Sequence, residues 1–257
     1  IAIYMINNYE LVKQNWTNST NQKQSTTEGQ LLHSMIQGLI KQKTMKMNQL
    51  EKLLYQTFPE VLKFMKNSTP MWVYKLIKKY PSARAVRQAQ VESLVKIKGI
   101  SLTKATELKS LSSQSVASLQ GRIAEIIVSQ HSMDIMNLEE EIDKLKGLLV
   151  EIYKDDPTIA LLTTVKGIGE WTAIAFAIEL GDYSRFENTD QLAAFYGVNP
   201  SFKQSGDGKF KVKMSKQGNP RMRAILYLIA HNVFMHNEYF KALYAKYRAK
   251  GKKHSAV

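Results

Sequence analysis

The residues best suited to chemistry lie between Leu161 and Arg223. Leu161, Leu162, Val165, Gly167, Ile168, Gly169 and Ala173 have the spacing of two short helices flanking a glycine turn, the pattern of a helix-hairpin-helix. Such a turn presents backbone NH groups at a helix N-terminus, where orphan donors and the helix dipole favour a phosphate. It reads the backbone of a polyanion rather than its base sequence. Farther on, Asn219 and Pro220 spell an N-cap with proline at the first helical position, so Arg221 and Arg223 stand at a second helix start. A phosphate there would meet NH groups and guanidinium forks together. Lys166, Gly167, Gly169, Lys203, Gln204, Gly206, Lys216, Asn219, Arg221 and Arg223 are accordingly the expected contacts to nucleic acid.

Hydroxyl and imidazole groups lie in the same region. Ser205, in Gln204-Ser205-Gly206, reads from its neighbours alone as a serine in a glycine-rich turn. Ser215 precedes Lys216 and the basic helix. His231 and His236 fit either acid–base residues or a helix-face and a helix-boundary histidine.

Composition supports a polyanionic partner. The formal net charge of the 257 residues is +14, and from Lys203 to the end the only acids are Asp207 and Glu238. That one-sided charge favours nucleic acid over a merely solvated basic surface. With 44% hydrophobic residues the chain can bury a real core. No apolar run reaches the ~18 residues of a membrane span, and the N-terminus lacks the layout of a signal peptide. The absence of cysteine excludes disulfides and thiolate metal sites. A reducing prokaryotic cytoplasm and no membrane partner are the expectation.

The positioning elements read as mainly α-helical. The chain opens at Ile1, in the apolar stretch Ile1–Ile6, without an initiator methionine, which we read as a fragment or a gene that has lost its front. Thr17–Thr27 reads as a loop. A helical pattern runs from Glu28 to before Pro59, and Pro59 and Pro70 each open a short helix, the second stopped by Pro81. Val91–Lys109 echoes the central hairpin with Gly99 alone, as a second hairpin or a plain turn. Ser115–Tyr153 reads as one long helix with Ile135, Leu138, Ile142, Leu145, Leu149 and Ile152 at coiled-coil spacing, for self-association or for the chain's own core.

Asp155-Asp156-Pro157 breaks that helix, Gly181 ends the next, and Asn188 or Thr189 caps a helix stopped at Gly197. Ser201–Gly208 reads as a loop and Phe210–Met214 as a hairpin strand. The helix from Arg221 is expected to bury Ile225, Leu226, Leu228 and Ile229, and a last helix carries Tyr239, Phe240, Leu243, Tyr244 and Tyr247 before the basic tail. Domain boundaries are expected at 1–110, 111–154 and 155–257.

Together Leu162–Gly169, Arg185-Phe186, Gln191–Pro200, Gln204-Ser205-Gly206 and Ser215–Arg223 resemble, in order, the C-terminal domain of the insertion-sequence 110 family of transposases. Pro59-Glu60 and Tyr80-Pro81 resemble that family's middle region. The resemblance implies an N-terminal RuvC-like domain whose acidic tetrad binds Mg²⁺, and a C-terminal serine, here Ser205, that attacks a DNA phosphodiester and becomes a phosphoserine. It also implies a noncoding bridge RNA as guide. A serine hydroxyl is a weak nucleophile until a base or metal activates it. The first residues resemble the segment after the family's last catalytic aspartates, so the tetrad is expected upstream of Ile1 and no cofactor is expected in this chain. The expected architecture is a mainly α protein: remnant helices of the RuvC-like domain, a coiled-coil spacer that makes a homo-oligomer, and a transposase domain with a small β-hairpin. A non-catalytic helix-hairpin-helix DNA-binding module and a coiled-coil interaction protein are the alternatives.

Overall fold

The structure, a computed structural model, describes residues 20–66, 68–181, 185–203 and 211–252. These form helices with one two-stranded ribbon. The chain divides into a central unit, Met35–Leu145, and a composite unit that joins the residues up to Ser34 with those from Lys146 onward.

Helix α1 spans Thr20–Thr57. It begins within the stretch whose composition predicts a loop. Extending an established helix fixes one residue per added hydrogen bond, so a polar stretch without apolar periodicity can continue a helix that it could not nucleate. In the central unit a 3₁₀ turn, Pro59–Met65, follows, and then α2 (Met71–Lys79), α3 (Ala83–Gln88), α4 (Val91–Val95) and α5 (Leu102–Ser113). They enclose a core of Leu50, Leu54, Phe58, Leu76, Leu94 and Leu108.

The predicted helix from Ser115 is not formed before α6, which spans Arg122–Tyr153. Residues 115–120 run without helix because partners elsewhere take their polar groups. The Glu60 carboxylate accepts from Ser115 Oγ at 2.6 Å and Val116 N at 3.0 Å, and Gln56 O accepts from Leu119 N at 2.9 Å. Serines at the end of α5 reinforce the break, since Ser112 and Ser113 both donate back to Lys109 O. Within the central unit Lys43 donates to Glu139 and Lys46 to Asp134, so α1 and α6 run antiparallel there. Of the predicted seam, Ile135, Ile142 and Leu149 are buried within the chain, Leu138 and Leu145 are half-buried, and Ile152 is exposed.

In the composite unit Asp156 caps α7 (Pro157–Thr163), accepting from Thr158 N at 2.7 Å. Next come α8 (Glu170–Leu180) and α9 (Thr189–Tyr196), whose cap Asn188 accepts from Gln191 N. Strands β1 (Pro200–Lys203) and β2 (Lys211–Met214) pair antiparallel, Pro200 opposite Met214. Ser201–Lys203, predicted as loop, are therefore strand, because backbone pairing with β2 outweighs the turn-like composition of the stretch. Helices α10 (Pro220–His236) and α11 (Glu238–Ala249) close the chain, joined through Asn237. Ile225 is buried and Leu226 and Ile229 are half-buried, but Leu228 is 47% exposed, past the edge of the buried stripe of α10.

Candidate nucleic-acid interface

The turn between α7 and α8 is built from short local bonds. Val165 N donates to Leu162 O at 3.2 Å and Ile168 N to Val165 O at 2.9 Å, and Gly169, extended at φ −82°, is the N-cap of α8. Its two glycines do different work. Gly167 has φ +108°, and a Cβ there would lie 2.9 Å from both Asn232 O and Val233 Cα, so this glycine lets the turn press against the backbone of α10. Gly169 would place a Cβ in open space. The outward approach is therefore at Gly169, flanked by exposed Lys166 and by exposed Glu170 in the first turn of α8.

The turn between α4 and α5 in the central unit has nearly the same backbone. Gly99 has φ +103°, Ile100 N donates to Ile97 O at 3.0 Å, and the cap Ser101 (φ −79°, ψ 165°) matches Gly169 (φ −82°, ψ 159°). Here the space for a Cβ at Gly99 is taken by Trp72 Cβ, 2.9 Å away. The echo in Val91–Lys109 is thus a second helix–turn–helix pair of the same local shape.

The start of α10 is organised by a buried carboxylate. Asn219 Oδ1 caps Arg221 N at 2.9 Å while its Nδ2 donates to Glu179 Oε2, and His33 Nδ1 lies 2.9 Å from Glu179 Oε1. Arg221 Nη2 donates to Ser34 Oγ at 2.8 Å, and its Nη1 is 3.9 Å from Glu179 Oε1. Burial by itself would raise the pKa of Glu179, but hydrogen bonds from His33 and Asn219 and the charges of His33 and Arg221 outweigh it and hold the carboxyl below its ordinary value. Glu179, His33 and Ser34 escape a sequence reading. The one signal is a carboxylate between Ile178 and Leu180 in the otherwise apolar run from Ala173 to Leu180.

The two arginines differ. Arg221 keeps about half its side chain exposed, free to meet a ligand as well as Ser34. Arg223 Nη1 donates to Tyr196 O, Gln217 O and Gly218 O at 3.1–3.2 Å, which makes it a brace between α9 and the segment before α10. That segment is clasped at its base: Ser215 N donates to Asn199 O and Lys216 N to Gly197 O, each at 3.0 Å. Gly197 (φ +67°) and Gly218 (φ +85°) permit this, since a Cβ on either would run into the facing backbone. Lys216 is exposed and has φ +56°, an uncommon conformation for a side-chain-bearing residue.

Gln204, Ser205 and Gly206 lie outside the described residues, as does the side chain of Lys203, whose backbone ends β1. Ser215 Oγ donates to Asn199 Oδ1 at 2.8 Å and so belongs to the clasp. His231 and His236 are both exposed on α10, the second in its last turn. Among the described residues no group of three or more His, Cys, Asp or Glu could hold a metal ion, and no helix is long and apolar enough to cross a membrane.

Residues 159–245 match the family described as Transposase IS116/IS110/IS902 family. The chain is 22% identical over 240 residues to the insertion element IS110 uncharacterized 43.6 kDa protein of Streptomyces coelicolor, covering 90% of this chain and 58% of that protein. It is 21% identical over 223 residues to the IS116 uncharacterized 44.8 kDa protein of Streptomyces clavuligerus, covering 84% and 56%. To the transposase for insertion sequence element IS1111A of Coxiella burnetii it is 28% identical over 93 residues, 36% of this chain and 26% of the other. The chain thus spans little more than half the length of these two Streptomyces proteins.

Proposed function

We propose that this chain, whose residues 159–245 carry an IS116/IS110/IS902-family transposase domain, works in the transposition of an insertion sequence, binding DNA through its composite unit and cleaving it with Ser205. The observation that carries the reading is the match itself. Its span includes the Gly167–Gly169 turn, the clasp around the β1–β2 ribbon and the Arg221 helix start. Exposed Lys166, Lys216 and Arg221 and the open backbone at Gly169 supply cations and NH donors for phosphates. Ser205 Oγ loses its proton and bonds to phosphorus, and the bridging oxygen of the cut strand leaves as a hydroxyl. The phosphoserine ester keeps the bond energy, so a free DNA hydroxyl can reclaim the phosphate and release the serine without ATP.

The resemblance puts the Mg²⁺ in the N-terminal RuvC-like domain, and among the described residues no group of three or more His, Cys, Asp or Glu could hold it. A bridge RNA would share the excess basic surface with DNA.

The experiment is denaturing electrophoresis of the protein, expressed from its whole genomic reading frame, after incubation with Mg²⁺ and labelled DNA bearing the ends of the element. A covalent protein–DNA adduct lost in Ser205→Ala is expected. An adduct undiminished in that variant overturns the assignment.

A further inference from the structure

We infer that Tyr227 and His231 form a stacking slot for an unpaired nucleobase. Helix α10 sets the two side chains one turn apart on one face, the i and i+4 positions. Their rings are 12° from parallel with centroids 6.4 Å apart, so the two exposed side chains must part by at least about 0.4 Å to admit a ring at two stacking steps of about 3.4 Å each. A core role does not account for them, because Tyr227 is 69% exposed and His231 is exposed as well.

The slot is braced. Phe234 meets the His231 ring edge-on at 5.3 Å and itself stacks on Tyr244 of α11 at 4.8 Å. This fixes one wall of the slot and pins α11, with Lys241, Lys246 and Arg248, to the helix that carries it. Parallel aromatic faces beside cations are the arrangement by which proteins hold single strands: stacking grips the bases while the cations attract the phosphates. A base within a duplex already has both faces covered. The occupant is therefore an unpaired base, at a strand end, a bulge or a loop, of DNA or RNA. This inference rests on nucleic acid being the ligand, as proposed above, and specifies which part of it meets α10.

The test is fluorescence anisotropy on the full chain with three labelled probes of one sequence: single-stranded, duplex, and duplex with one bulged base. Tyr227→Ala with His231→Ala is expected to weaken binding of the single-stranded and bulged probes at least fivefold and up to about a hundredfold. Duplex affinity and the salt slope should stay unchanged, since no phosphate contact is lost. Tyr227→Phe with His231→Phe should restore the loss, because stacking needs the ring and not its polar atoms. Circular dichroism verifies that the exposed substitutions leave the fold intact. Unchanged single-strand affinity in the alanine pair, or failure of the phenylalanine pair to restore it, overturns the slot. So does an effect confined to sedimentation behaviour, which would assign the patch to a second copy. If the unaltered chain binds none of the probes in a salt-dependent way, it is the nucleic-acid reading that fails.

Discussion

His33 Nδ1 lies 2.9 Å from Glu179 Oε1, and both side chains are almost wholly shielded from solvent. The pair ties α1, at His33, to the cap of the helix that presents Arg221.

Because Glu179 also accepts from Asn219, its removal strands several donors in a buried place. Glu179→Ala should cost about 3–5 kcal/mol, the usual effect of leaving one side of a buried charge pair unmatched. Glu179→Gln, which keeps an acceptor, should cost less. The carboxyl's folded pKa lies below its ordinary value, so the unfolded chain binds the proton more readily. The stabilisation is therefore complete above the ordinary carboxylate value and is lost as pH falls through the folded one. Urea melts across the acid range should show that loss in the parent chain and its absence in Glu179→Gln.

Gly167→Ala should destabilise by about 2 kcal/mol, combining a positive φ with a Cβ driven against α10. Gly99→Ala should do the same against Trp72. Gly169→Ala should change stability by less than about 1 kcal/mol, its φ being ordinary and its surroundings open, yet weaken duplex binding by obstructing the approach of a phosphate. Melts and anisotropy measured on the three variants separate turn geometry from contact.

Arg221→Ala and Arg223→Ala should part company. The first should lower the slope of log affinity against log salt by about one, as for loss of one phosphate contact, with the smaller drop in melting temperature, since its side chain is half-exposed and 3.9 Å from Glu179. The second should lower the melting temperature, because three carbonyls lose their donor.

Glu170 puts a negative charge beside the very NH groups that would receive a phosphate. Glu170→Gln should tighten duplex binding by a few-fold, in line with the ~0.3–1 kcal/mol that a charge contributes at a helix end. The gain should shrink as salt rises.

Local signals made much of the composite unit legible. Asp156-Pro157, Asn188, Gly197 and Asn219-Pro220 act within a few residues of themselves, and each bounds a helix where its chemistry predicts. The hairpin echo at Gly99 was legible for the same reason, one positive-φ glycine two residues before a cap. What escaped depends on distant partners. Residues 115–120 leave the helix for Glu60 and Gln56, and His33 meets Glu179 across 146 positions of sequence. Leu228 looked like core because apolar type marks a residue as buriable, while helical phase decides whether it is buried.

The bonds from Ser215 to Asn199 and from Lys216 to Gly197 close a staple beneath the ribbon. A staple of that sort sets the register of both strands from the end where the chain enters and leaves the ribbon.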